Sequence, residues 1–303
     1  MEDEPAKRHI PVLARTLLEH ISLPTDAVMV DATIGHGGHS LLFGQRLGAQ
    51  ATIIGLDVDQ NSIDNAQKTL ESLTCKVILV RENFSQIKEV LSNLGIAKID
   101  FLLADLGFCS AQLEDEQKGL SFQKNMPLDM RLDNRLKTTA ADIINRMDEK
   151  SLADIIYQFG EDHASRRIAK FIVHQRKAGP ISTTEQLSII VCRALGQSPT
   201  GGRKHKIHPA TRTFQALRIA VNSELENLQT LLQDAPDVLD TTGRIAVISF
   251  HSLEDKVVKF DFKTNAVRGM YKVLTKKPLT ADEEEKFENP RSRSAKLRIA
   301  ERL

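Results

Sequence analysis

Residues 27–40 read AVMVDATIGHGGHS. A short β-rich run ends on an acid, Asp31, and gives way at once to a turn crowded with glycine and histidine. A strand feeding a glycine-rich turn and then a helix is the opening unit of a doubly wound parallel sheet. The residues downstream repeat that unit. ATIIGLDVD (51–59), KVILV (76–80) and KIDFLLADLG (98–107) read as three further strands. The helix after the second has Ile63, Ala66, Leu70 and Leu73 at spacings of three and four, which gives one apolar face. The next carries Ile87, Val90, Leu91 and Leu94 and stops at Gly95, a favourable residue just past a helix end. Continuous apolar strands separated by such helices predict a parallel sheet covered on both faces.

The pattern changes near residue 110. Residues 111–210 hold helical segments, among them DIINRM and TEQLSIIVCRAL, and no convincing strand. Strand character resumes at GRIAVISF (243–250). Before it runs what reads as one long helix, with Phe214, Leu217, Val221, Leu225, Leu228 and Leu232 on one side. The expected architecture is an α/β domain of residues 1–112 and 209–303, interrupted by a helical domain at 113–208.

Composition narrows the functional classes. The chain has 303 residues, 41% apolar and 27% charged, as a globular protein with a real core does. A net charge of +1 means that any attraction to nucleic acid must come from local patches. Cys75, Cys109 and Cys192 are lone cysteines, which suits a reducing compartment and argues against a zinc knuckle. His36 and His39, like His205 and His208, are three apart, but nothing nearby completes a tetrahedral set, so no metal is expected. MEDEPAKRH carries no apolar h-region, and no apolar run approaches the roughly 20 residues of a membrane span. A cytoplasmic protein with no membrane partner is the expectation.

Ligands of doubly wound sheets bind beyond the C-terminal ends of the strands. Gly35, Gly37 and Gly38 follow the first strand, where backbone N–H groups can approach an anionic ligand. Asp57 ends the second, at a position suited to ribose hydroxyls. Asn83–Phe84 follows the third, where an aromatic face can pack on adenine, and Asp105 ends the fourth beside the expected reaction centre. Taken singly, the two acids could be helix caps and Phe84 could be core. No Gly-Lys-Ser/Thr follows the loop, which argues against an ATPase. Asp31-x-Thr33-x-Gly35-x-Gly37 is similar to the acidic glycine loop of S-adenosylmethionine-dependent methyltransferases, with Thr33 for the first glycine. An NAD-dependent dehydrogenase is the competing reading of the same loop.

Residues 186–223 contain no acid but carry Arg193, Arg203, Lys204, Lys206, Arg212 and Arg218, and the C-terminal NPRSRSAKLRIA is also basic. Such segregation fits a polynucleotide substrate. In SFHSLEDK (249–256), Ser252 and Asp255 have the spacing of a capping box, which leaves Phe250 and His251 at a strand end.

Several segments, in order along the chain, resemble the bacterial methyltransferases that modify N4 of a cytidine in the decoding centre of 16S rRNA. They include HIPVL (9–13), DATIGHGGHS (31–40), GLSFQ (119–123), PLDMR (127–131), HPATRTFQALRIAVNSEL (208–225), GRIAVISFHSLEDK (243–256) and NPRSRSAKLRIAER (289–302). The resemblance implies a Rossmann-like class I methyltransferase domain with an inserted helical domain that helps bind RNA. It implies S-adenosylmethionine held against Gly37, Gly38, His39, Asp57, Phe84, Asp105 and Gln112. By analogy with amino-methyltransferases that carry an Asp/Asn-Pro-Pro-aromatic motif at this strand end, the acceptor of the amine's protons is expected to be Asp105 or a carbonyl of the Leu106–Gly107 turn. It implies 16S rRNA, within the small ribosomal subunit, as partner, and leaves monomer and homodimer both open. The sequence departs from the family at Phe108–Ala111, where Val-Ser-Ser-Pro is usual, at Ile34, and at VKFDFK (258–263), which loses basic character. Other readings are a different nucleic-acid amino-methyltransferase, acting on DNA or another RNA, and a non-catalytic rRNA-binding assembly protein.

Overall fold

The computed structural model describes residues 10–108, 112, 115–122, 124–198 and 208–303. Two compact units emerge, one formed by the residues up to Gly107 with Leu225–Leu303, the other by Phe108–Glu224.

The first unit is a seven-stranded sheet. Its strands are β1 Val28–Asp31, β2 Thr52–Leu56, β3 Lys76–Val80, β4 Ile99–Asp105, β5 Leu239–Ser249, β6 Tyr271–Val273 and β7 Lys296–Arg302. They lie in the order β3-β2-β1-β4-β5-β7-β6. The first five are parallel, while β7 runs antiparallel to both of its neighbours. That reversed strand separates this sheet from the all-parallel dinucleotide fold, and with it sets aside the dehydrogenase reading. Helices α1 Ala14–His20, α2 Gly38–Gly44, α3 Gln60–Leu70 and α4 Ile87–Asn93 belong to the first half of the chain.

Both faces of the sheet are buried, which is why its central strands read as unbroken apolar runs. In β4, Leu102 and Ala104 enter one core with Val30, Ile54, Ile245 and Val247. Phe101 and Leu103, pointing the other way, enter a second with Leu17, Met29, Ala246 and Ile248. Strand β7 was concealed in the sequence by its charges. Leu297 and Ile299 are fully buried, and Arg298 is 6% exposed, its guanidinium 2.7 Å from Asp255. The basic C-terminal stretch is therefore partly a core strand whose charges are paired inside the fold.

The second unit is helical: α5 Ala140–Arg146, α6 Glu149–Gly160, α7 Ser165–Gln175, α8 Thr184–Leu195 and α9 Thr211–Asn222. Capping boxes start two of them, Thr139 with Asp142 and Thr183 with Gln186. The core joins Ile144, Leu152, Ile156, Ile168, Ile172, Leu187 and Val191 to Phe214 and Leu217. The segment PLDMR is structural here. Asp129 holds Arg131 through both carboxylate oxygens at 2.8 and 2.7 Å, and Asn222 donates to the Met130 carbonyl while accepting from the Leu132 N–H.

The long helix expected over residues 214–232 is in fact two. It breaks at Ser223, whose φ of 48° is left-handed, and α10 Glu224–Val238 follows. Phe214, Leu217 and Val221 bury in the helical unit, whereas Leu228 and Leu232 bury against the sheet. The units thus divide at 107/108 and 224/225, not at the 112/113 and 208/209 suggested by the sequence. Two further helices complete the first unit, α11 Ser252–Val267 and α12 Glu283–Glu288.

Candidate active site

The chain reverses its winding between β1 and β4, and the loops leaving β1, β2, β3 and β4 converge on that rim. The sequence residues singled out there are Gly35, Gly37, Gly38 and His39 after β1, Asp57 after β2, Phe84 after β3 and Asp105 at the end of β4. All belong to the first unit.

The loop is held by its acids. Gly35 donates its N–H to Asp57 Oδ2 at 3.1 Å, and Asp59 donates its own to Asp57 Oδ1 at 2.8 Å. Asp59, not Asp57, caps α3, accepting from the Asn61 N–H. The Gly37 N–H is also engaged, donating to the Ile34 carbonyl at 2.7 Å. The N–H groups that open α2 therefore start with Gly38 and His39. The glycines meet steric needs of the chain itself. Gly37 has φ +81°, and a Cβ there would lie 3.2 Å from Leu70; one on Gly38 would lie 2.8 Å from Pro11. The packing of the loop itself therefore also requires the absent side chains.

Beneath the loop lies a buried charged cluster. Asp31, 1% exposed, accepts from the Ser40 hydroxyl at 2.8 Å and from the Thr33 N–H at 3.3 Å. The Thr33 hydroxyl in turn accepts the Asp105 N–H at 2.7 Å, tying the β1 loop to β4. His39 Nε2 stands 3.4 Å from Asp105 Oδ2, too long for a good hydrogen bond but close enough for strong attraction between charges. Burial pulls the imidazole pKa down, yet Asp105 and then Asp31 outweigh it and hold His39 above its ordinary value. Burial holds Asp31 above the usual carboxylate range, against the pull of His39.

Two atoms of this cluster are buried without a hydrogen-bond partner, His39 Nε2 and Asp105 Oδ1. A buried carboxylate oxygen left unpaired costs about 1–3 kcal/mol, so its retention points to a donor supplied by a ligand. Gly107, φ +108°, turns the chain two residues after Asp105 and packs on the Phe250 ring, 3.5 Å from where a Cβ would stand.

A family model described as the MraW methylase family matches residues 6–303. The chain belongs to that family. It is 44% identical to the ribosomal RNA small subunit methyltransferase H of Acidobacterium capsulatum, covering 98% of this chain and 99% of that one. It is also 44% identical to the enzyme of the same name from Thermosipho africanus, with 98% of each chain covered. A putative rRNA methylase structure from Clostridium thermocellum aligns over 96% of this chain and 95% of that chain, with a TM-score of 0.46 and 13% identity. The fold and the family together make this a methyltransferase, with S-adenosylmethionine as its methyl donor. The donor set suits that cofactor: N–H groups opening α2, an acid just beyond β2 and a half-buried aromatic just beyond β3.

The remaining family-related positions fall in several places. Phe84 opens a short helical turn whose N-cap, Asn83, accepts from the Ser85 N–H at 2.9 Å; its ring is half-buried and packs against the sheet core. Gln112 is buried and belongs to the second unit. Cys109, Ser110 and Ala111 lie outside the described residues, as do Arg203, Lys204, His205 and Lys206. Arg218 faces the Phe108 ring at 4.9 Å and is held bidentately by Glu224 at 2.8 and 2.9 Å, so it is not a free phosphate contact. His208 stacks on Phe122 with 4.5 Å between ring centres. The capping box of SFHSLEDK lies one residue earlier than its spacing suggested: His251 caps α11, and Glu254 accepts the Phe250 and His251 N–H groups. Asp31 and Thr33 belong to the loop motif read from the sequence, but their contacts with Ser40 and with the Asp105 N–H were not legible there. A buried acid at the end of an apolar strand was the available signal.

Proposed function

We propose that this chain methylates the exocyclic N4 amine of a cytidine in the decoding region of 16S rRNA. The observation that carries the reading is Asp105 Oδ1, a buried acceptor without a partner at the C-terminal end of β4. The named relatives are ribosomal RNA small subunit methyltransferases, which supports an rRNA substrate.

S-adenosylmethionine supplies, when bound, an electrophilic methyl group on a sulfonium. The protein's task is then to position and to manage one proton. The N4 lone pair of cytosine is delocalised into the ring. Asp105 Oδ1 accepts an N–H of that amine, favours the pyramidal and nucleophilic nitrogen, and takes the proton shed on transfer. His39, whose Nε2 lies 3.4 Å from Asp105 Oδ2, fixes the second oxygen of the carboxylate and leaves Oδ1 to face the amine. The loop Gly37–Gly38–His39, with Asp57 and Phe84, is the cofactor side of the site within the sheet unit. The helical unit serves RNA recognition, and the cytidine must be splayed from its stack to reach Asp105.

Small ribosomal subunits from a strain lacking this activity, incubated with the protein and S-adenosylmethionine, should gain one methyl group. Mass mapping should place it on cytidine N4. A methyl on ring C5, on adenosine or on DNA would overturn the assignment, and binding to subunits without transfer would favour an assembly role. Asp105→Asn should lower kcat by about 10²-fold or more.

A further inference from the structure

Helix α11 leaves the sheet at the rim that carries Asp105. Its N-cap, His251, follows β5, and β5 pairs with β4 up to the Asp105–Ile248 register. The inner side of the helix is accounted for, since Val258 and Phe262 are 1% exposed and packed in the sheet core. The outer side is unusual. Lys256, Lys259, Phe260, Lys263 and Val267 are all exposed, Phe260 at 74% and Val267 at 83%. At 3.6 residues per turn these five fall within about 100° of arc and run about 16 Å along the axis. The acids of the same helix are turned away or engaged. Glu254 is buried in the cap, Asp255 is held by Arg298 and lies 3.6 Å from Lys296, and Asp261 is half-buried against Asn265. What faces solvent is a row of ammonium groups with an aromatic ring set among them.

We infer that this stripe is a contact for single-stranded RNA flanking the methylated nucleotide. The inference rests on an RNA substrate as proposed above and adds a second site on the sheet unit. Lysines about a helical turn apart match a phosphate backbone. An exposed ring between them offers a stacking platform for an unpaired base, which is how proteins hold single strands. An exposed Phe and Val have no part in a merely solvated charged face. The stripe begins at the reaction rim and leads away from it, so a strand whose target base occupies the site would pass along it.

The test compares the wild type with Lys259→Ala/Lys263→Ala and with Phe260→Ser, each first checked for unchanged Tm and unchanged S-adenosylmethionine affinity. The probe is a fluorescent single-stranded oligoribonucleotide of about 16 nucleotides. The double lysine variant should bind it about tenfold more weakly, with the slope of log K against log salt shallower by about 1.4. Phe260→Ser should weaken binding about tenfold while leaving that slope unchanged. Wild-type affinity and slope in both variants would overturn the inference. So would loss of binding to anionic phospholipid vesicles in place of RNA. Methyl transfer to small subunits by the wild type is measured in parallel. If the wild type methylates rRNA and the variants bind the oligonucleotide normally, only the stripe is refuted. If the wild type transfers no methyl to rRNA, it is the functional reading that fails.

Discussion

At the scale of single residues, His39 links loop, charge and chemistry. A histidine buried to 7% exposure in apolar surroundings would titrate below its ordinary value, but Asp105 and Asp31 reverse that tendency. A histidine whose native pKa is raised contributes stability that is fully present below the unfolded value, about 6.5, and is lost as pH rises through the native one. The ring protons of His39 should therefore titrate in NMR with a midpoint above about 6.5. In Asp105→Asn the midpoint should fall, because burial then acts with less opposition. An unchanged midpoint would show that the two side chains do not interact in solution. The glycines make a separate prediction. Gly38→Ala places a methyl group 2.8 Å from Pro11, so it should destabilise the fold by about 1–3 kcal/mol in chemical denaturation, before any cofactor is added. A variant that kept full stability and lost only cofactor affinity would mean that this glycine serves the ligand and not the packing of the loop.

At the scale of elements, legibility followed burial pattern. The first four strands were readable because both faces of the sheet are covered, leaving continuous apolar runs between amphipathic helices. Strand β7 was not, because Lys296, Arg298 and Arg302 interrupt it and find partners only in three dimensions. The join of α9 and α10 was hidden for a different reason. The apolar positions keep helical spacing across Ser223, and only the left-handed turn there sends them into separate cores. Ser223→Gly should therefore be tolerated or mildly stabilising, while Ser223→Val should cost about 1–2 kcal/mol, a contrast that urea melts would resolve. Within the helical unit, α6 and α9 approach closely at Gly160, where a Cβ would lie 2.6 Å from the Arg212 carbonyl oxygen. Gly160→Ala should cost about 1–3 kcal/mol, and equal stability would mean that these helices separate easily.

At the scale of the whole molecule, the site was legible as a set of strand ends, whereas its charge balance was not. The sequence placed Asp57, Phe84 and Asp105 by topology alone, but it could not tell that Asp57 would secure Gly35 or that Asp31 would lie buried beside His39. Spacing says which rim a residue occupies; it does not say which acids lose their water. The same balance sets stability against pH. Asp255, despite burial, is held below the usual range by Arg298 and Lys296, so it gains stability as pH rises through the acidic range. Asp261 acts in the opposite sense. Burial pushes its carboxyl up to about 6, against the pull of Asn265 and Arg268. Its native form thus binds a proton that the unfolded chain releases near pH 4, and stability falls as pH rises from about 4 to about 6. Asp261→Asn removes that penalty and retains an amide oxygen to accept the Asn265 N–H that Asp261 accepts at 3.0 Å. Its Tm should match the wild type near pH 4 and exceed it by about 2–4 °C above pH 6, the difference opening across that interval. A difference independent of pH would mean that the gain comes from packing and not from the buried charge.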